Sequence, residues 1–238
     1  MTDPGAVRND ARVPIDAIVL DLDDTILDTA SLLVPIADQR AVQAMIAKGL
    51  PVAAHVAHTT LRELRSQGVE DLFGEIAKRH GGSPESAAAA THAFFRYDVP
   101  PIALEPEIEA ALHTLHGIAP LALLTAGFET TQRQKVARLD IEALFVECVY
   151  VPLGNPGGKE PALRALLTRH NWRPEHVVVV GDRPASDIRA GNALGCRTVL
   201  VRTAGGEFAE HAPDGPAETP WQTIPSLAHL PKLLRGLA

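Results

Sequence analysis

Five short stretches of the chain are almost continuously apolar: residues 17–20, 121–124, 145–151, 177–180 and 198–201. A strand with one wet face alternates apolar and polar side chains, whereas a strand covered on both faces has no need to. Between these stretches lie helical patterns at 106–116, 129–139, 160–170 and 187–194, the last closed by Gly195. Strand followed by helix, repeated, predicts an α/β domain built on a doubly wound parallel sheet. After Arg202 a Gly-, Pro- and acid-rich connection leads to a short strand near 221–224 and a closing helix at 227–234.

The interval from Ser31 to Val99 breaks this rhythm, because it offers helical patterns with no strand between them. The helices are expected at 37–48, 52–67, 70–80 and 84–96, with stops at Gly49, Gly68 and Gly81-Gly82. Ser83-Pro84-Glu85 reads as a helix start: a capping hydroxyl, a proline in the first turn and an acid near the positive end. The expected organisation is a flexible arm over 1–14, an α/β core over 15–30 and 100–238, and an all-helical insert over 31–99.

Composition narrows the partners. The 238 residues are 46% apolar, enough for a sizeable core, and 22 Lys and Arg against 29 Asp and Glu leave a net charge of −7. Such a chain lacks the cationic surface that nucleic-acid phosphates or anionic lipid require, so neither partner is expected. No apolar run approaches signal-peptide or membrane-spanning length. Cys148 and Cys196 lie far apart with no ligand spacing, which fits a reducing compartment and predicts a cytoplasmic protein.

The chemistry gathers where strands end. Asp21, Asp23 and Asp24 follow the first apolar run, and a period of two sends Asp21 and Asp23 the same way. Strand C-terminal ends are where open α/β sheets bind ligands. Two carboxylates so close repel unless a cation neutralises them or the shared proton is used, and magnesium with a phosphate meets both conditions. The plain alternative is a capped turn, which Asp and Thr form readily. The run 177–180 ends in Gly181-Asp182, with Asp187 following and Ser186 a helix-cap candidate. The run 121–124 ends in Thr125-Ala126-Gly127 just before a helix, where a hydroxyl and free N–H groups can hold an oxyanion. Lys159 stands at a helix start, a locally unfavourable place for a cation that a bound anion would offset, the plain alternative being a solvated lysine.

Taken in order, DLDDT, LLTAG, the Lys159 segment and GDRPASD resemble the four motifs of the haloacid dehalogenase-like superfamily of phosphotransferases, and the insert resembles that family's helical cap of the first type. The resemblance implies a Rossmann-like core and a Mg²⁺-dependent phosphatase acting on a small organic phosphate monoester. Asp21 would become the aspartyl phosphate, and Asp23 would protonate the leaving alcohol and then activate water. Asp21, the backbone carbonyl of Asp23 and Asp182 would hold the metal, with Asp187 and Thr25 in support. Thr125, Ala126 and Lys159 would bind the phosphoryl group. Glu160-Pro161 departs from the family's frequent Lys-Pro-x-Pro run. A phosphate mutase or a dehalogenase of the same superfamily, or a non-catalytic phosphate-binding module, are the competing readings.

Other groupings read more simply. His55 with His58 and His113 with His116 have metal-ligand spacing but no third ligand. Phe94, Phe95 and Tyr97 are expected to pack the cap more than to line a pocket, Arg62 and Arg65 to form a solvated face, Arg183 to be exposed, and Cys148 to be a small core residue.

Overall fold

The computed structural model describes residues 14–69 and 71–236. The expected flexible arm lies outside the described residues except for Pro14, and so does Glu70, the expected first residue of the third cap helix. Six parallel strands form one sheet in the order β3-β2-β1-β4-β5-β6: β1 Ala17–Leu20, β2 Leu121–Ala126, β3 Phe145–Val151, β4 Val177–Gly181, β5 Arg197–Val201 and β6 Gln222–Ile224. The chain runs outward from β1 to β3, then returns to the other side of β1 for β4, so the topological switch point falls between β1 and β4.

Both faces of the sheet are covered, which is why its central strands need no polar residues. Ile18 and Leu20 pack on one side with Leu112, Leu115, Val136 and Leu230, and Ala17 and Val19 pack on the other with Leu163, Leu166 and Ala190. Helices α6 (Pro106–His116), α7 (Glu129–Leu139) and α10 (Leu230–Arg235) supply the first layer, α8 (Glu160–His170) and α9 (Arg189–Leu194) the second. The edge strand β3 is the exception: Val146 is 52% exposed and Cys148 is only half-buried. The expectation of a strand hidden on both faces, with Cys148 in the core, is corrected here: β3 is an edge strand, with β2 its one neighbour among the described residues.

Between β1 and β2 the chain forms α1 (Thr29–Leu32), α2 (Val34–Ala47), α3 (Ala54–Ser66), α4 (Leu72–His80) and α5 (Pro84–Phe95). Their apolar faces meet in a second core of Val42, Met45, Leu61, Leu64, Phe73 and Ile76, separate from those of the sheet. The Ser83 hydroxyl accepts from the Ser86 N–H at 3.1 Å, with Pro84 opening α5, a cap of the kind that contributes about 1 kcal/mol. On α2 and α3, Arg65 is tied to Asp38 by two bonds of 2.7 and 2.8 Å, so its expected solvated role is corrected: its partner lies on another helix. The helical unit touches the core through side-chain bonds to backbone, Thr131 Oγ1 to the Phe95 carbonyl at 2.7 Å and the Val99 N–H to Gln134 at 2.9 Å. Among the described residues no helix is long and apolar enough to cross a membrane.

Candidate active site

Asp21 follows β1 and Asp182 follows β4, which brings both to the switch point. The Asp21 N–H donates to the Val180 carbonyl at 2.9 Å, extending the strand pairing into the site. Asp21, Asp182 and Asp187 each offer a carboxylate oxygen within 4.8 Å of the others, and all three residues are buried. Among the described residues no other group of three or more His, Cys, Asp or Glu is arranged to hold a metal. The paired histidines of α3 and α6 are thereby left as ordinary helix residues; His116 Nδ1 lies 3.0 Å from the Leu144 carbonyl.

Lys159 enters this cluster from the start of α8. Its ammonium lies 2.6 Å from Asp21 Oδ1 and 2.6 Å from Asp187 Oδ1, and the residue is 5% exposed. The unfavourable position at a helix N-terminus is offset by turning the charge onto two carboxylates. Burial disfavours the Lys159 cation, but Asp187 and Asp21 outweigh it and raise its proton affinity. Burial likewise raises the proton affinity of Asp21, with relief from Lys159 and further pressure from Asp187 and Asp23. Asp182 is raised by burial and then by the charges of Asp21 and Asp187; among the described residues its carboxylate has no hydrogen-bond donor.

Fully ionised, three carboxylates against one ammonium would leave an excess of two negative charges in a buried pocket. An all-oxygen donor set with that excess fits a divalent hard cation such as Mg²⁺. The cluster includes Asp187, to which the resemblance gave a supporting role, and leaves out the Asp23 carboxylate, whose backbone carbonyl was the expected ligand.

Asp23 faces the same cavity but binds a different set of groups. Lys135 Nζ lies 2.6 Å and Thr29 Oγ1 2.5 Å from Asp23 Oδ1, and Gln132 Nε2 lies 2.8 Å from Oδ2. Burial would raise the proton affinity of Asp23, but Lys135 and these hydrogen bonds reverse the shift and hold it as the carboxylate. Gln132 Nε2 also donates to Thr125 Oγ1 at 2.7 Å, joining the second motif to the first. Gly127 permits this arrangement, because a Cβ there would stand 2.9 Å from Gln132 Cγ and Cδ. Ala126 lines the same cavity. Lys135 and Gln132 were not singled out in the sequence, where they read as ordinary polar positions of α7.

The remaining acids and hydroxyls divide. Asp24, at φ 52°, accepts from the Ala30 N–H at 2.9 Å and the Glu207 N–H at 3.0 Å, fulfilling the capping alternative. Thr25 is buried nearby, and its hydroxyl has no partner among the described residues. Asp187 sits in a wide i to i+5 turn, Pro184–Ile188, where a regular helix from 187 was expected. Its Oδ2 accepts from the Arg183 N–H at 3.1 Å, and Gly181 makes room, since a Cβ there would lie 2.2 Å from Asp187 Cγ. Arg183 is exposed, with its guanidinium 4.6 Å from the centre of the Phe208 ring. The cavity above the acids holds about 250 Å³, and Phe94, Phe95 and Tyr97 line it, so packing of the cap is only part of what they do.

Acids gathered at the switch point of a parallel sheet, with helices inserted after the first strand lining the cavity beside them, define a doubly wound α/β protein with a candidate cation site. The chain belongs to the haloacid dehalogenase-like hydrolase family, whose model matches residues 15–195. It is 30% identical over 237 residues to a glyceraldehyde 3-phosphate phosphatase from Methanopyrus kandleri, covering 94% of this chain and 99% of that one. A phosphoserine phosphatase from Thermus thermophilus is 36% identical over 152 residues, 61% of this chain and 59% of that protein. In fold it is similar to the HAD-hydrolase YfnB from Bacillus subtilis, a structure bound to magnesium, with TM-score 0.64, 18% identity and coverage of 93% and 99% of the two chains.

Proposed function

We propose that the chain is a phosphatase that hydrolyses a small organic phosphate monoester with Mg²⁺, through a phosphorylated Asp21. The observation that carries this reading is the separation of two acids in one cavity. Asp21 lies with Asp182 and Asp187 against Lys159, while Asp23, two residues on, has its own ammonium from Lys135. Attack at phosphorus and proton handling call for two carboxyl groups with different tasks at one substrate. A dehalogenase has no alcohol to protonate and would leave Asp23 and its partners without a task. The relatives named above are phosphatases, which supports the same reading.

Bound at Asp21 and Asp182, with the Asp23 backbone carbonyl and Asp187 beside them, Mg²⁺ would supply the charge neutralisation that lets a carboxylate approach an anionic phosphate. The chain's own groups do the rest. Asp21 Oδ2, the oxygen not bonded to Lys159, attacks phosphorus as the bond to the alcohol oxygen breaks. A phosphate dianion arriving beside Asp23 adds like charge and raises its proton affinity, so the carboxyl gains a proton on substrate binding. Asp23 passes that proton to the departing alcohol. Water then attacks phosphorus and gives its proton to the Asp23 carboxylate, phosphate leaves, and Asp21 is restored. Lys159, Thr125 and the backbone N–H groups near Ala126 neutralise the charge on the transferring group.

The test is phosphate release from a panel of esters, with and without chelator. Release is expected to stop with chelator, to return with Mg²⁺, and to fall by about 10³-fold or more in Asp21→Asn. Full activity in that variant, or turnover indifferent to metal, overturns the reading.

A further inference from the structure

We propose that Glu207 selects the ester by accepting a hydrogen bond from a hydroxyl on the departing alcohol, with Arg183 donating to the same chain. The substrate class is then a short polyol phosphate, and this rests on the phosphatase reading above. Six acids line the cavity. Asp21 and Asp187 share Lys159, Asp23 holds Lys135, Asp24 accepts from two N–H groups, and Asp182 stands in the candidate cation cluster. The sixth, Glu207, has neither a hydrogen-bond donor nor an ion-pair partner for its carboxylate among the described residues. Its place is nonetheless fixed. The Glu207 N–H donates to Asp24 Oδ2 at 3.0 Å, which ties it to the first motif. Arg202 donates to the Phe208 and Ala209 carbonyls at 2.7 and 2.6 Å and to that of His211, curling the segment after β5 from which Glu207 and Phe208 line the cavity.

Arg183 opens on the same cavity. Its guanidinium lies 4.6 Å from the centre of the ring of Phe208, the residue next to Glu207, and makes no hydrogen bond among the described residues. The Tyr97 and Ser186 hydroxyls that line the cavity are unpartnered there too. A carboxylate only accepts and a guanidinium only donates, whereas a hydroxyl does both, so a hydroxylated chain can meet the two together. An ammonium drawn to Glu207 would meet the like charge of Arg183. A plain alkyl chain would displace the water from both groups and return no hydrogen bond. The volume of about 250 Å³ lies below the usual range of about 300–1,000 Å³ for ligand pockets, which keeps the alcohol short.

Glycerol 3-phosphate and propyl phosphate are esters of primary alcohols of equal chain length and differ only in their hydroxyls. The kcat/KM for glycerol 3-phosphate is expected to exceed that for propyl phosphate by about tenfold or more. Glu207→Leu should lower this ratio by about fivefold or more, and Glu207→Gln, which keeps an accepting oxygen, by less. Neither replacement touches the N–H that binds Asp24, and thermal melting of each variant checks that it folds. A parent ratio near one or below, or a ratio that folded Glu207→Leu leaves unchanged, overturns the inference while the phosphatase reading stands. Asp21-dependent release from other members of the ester panel, with none from glycerol 3-phosphate, does the same. Absence of Asp21-dependent release from the whole panel removes the phosphatase reading and this one with it.

Discussion

Lys135 Nζ lies 2.6 Å from Asp23 Oδ1 across 112 residues of chain, and both groups open on the cavity that holds the acid cluster. Lys135 therefore positions the proposed proton carrier. Lys135→Ala is expected to lower kcat by about 10²-fold with a much smaller change in KM. Steady-state phosphate release separates the two constants. An unchanged kcat would leave Lys135 with a structural role only.

Asp182 should make the metal-free protein pH-sensitive. Burial and its acidic neighbours push its proton affinity up, from 3.8 to about 9, so between these values the folded state holds a proton that the unfolded chain has released. Stability is then fully present below the lower value and declines as pH rises toward the upper one. The melting temperature without metal is expected to fall from pH 5 to pH 8.5, and Asp182→Asn should flatten that slope. On the proposed reading Mg²⁺ would bind the ionised form alone, so the stabilisation it gives should grow over the same interval. Thermal scans of both proteins, with metal and with chelator, check each sign.

Gly181 is fixed by its neighbour. A Cβ at this position would stand 2.2 Å from Asp187 Cγ, and Asp187 is held by Lys159 and the Arg183 N–H. Gly181→Ala is expected to cost about 1–3 kcal/mol and to reduce turnover by moving Asp187 out of the cluster. Urea unfolding and phosphate release measure the two effects, and a variant as stable and active as the parent refutes the close approach.

The Asp24 carboxylate ties the segment entering the cap to the loop after β5, through the Ala30 and Glu207 N–H groups. Glycine accepts the positive φ at this position, so Asp24→Gly removes the carboxylate without imposing backbone strain. A loss of about 1–3 kcal/mol is expected from the two unpaired donors. Hydrogen exchange should quicken at Ala30 and Glu207 together; protection unchanged at both would exclude the tie.

The central strands were legible because burial on both faces writes itself as unbroken apolar residues, as in Val177–Val180. The acids were legible because strand ends deliver them: Asp21 and Asp182 each follow such a run. Strand order is not written in the same way, so nothing marked β3 as an edge, and Val146 and Cys148 read as core. Lys135 and Gln132 escaped notice for a related reason. On a helix of mixed polar residues, only tertiary packing decides which face turns inward, and here that face meets Asp23. Arg65 likewise has its partner, Asp38, on another helix. The division of Asp21 and Asp23 between two ammonium groups depends on distances that no local spacing encodes.

The side-chain amide of Gln132 has a consequence for Thr125. An ionised Asp23 only accepts, so the nitrogen of that amide must face it, and the same nitrogen reaches Thr125 Oγ1. The threonine oxygen thus receives a hydrogen and keeps its own to give. A single amide orientation fixes the polarity of a hydroxyl on the preceding strand, and leaves that hydroxyl's own hydrogen unspent.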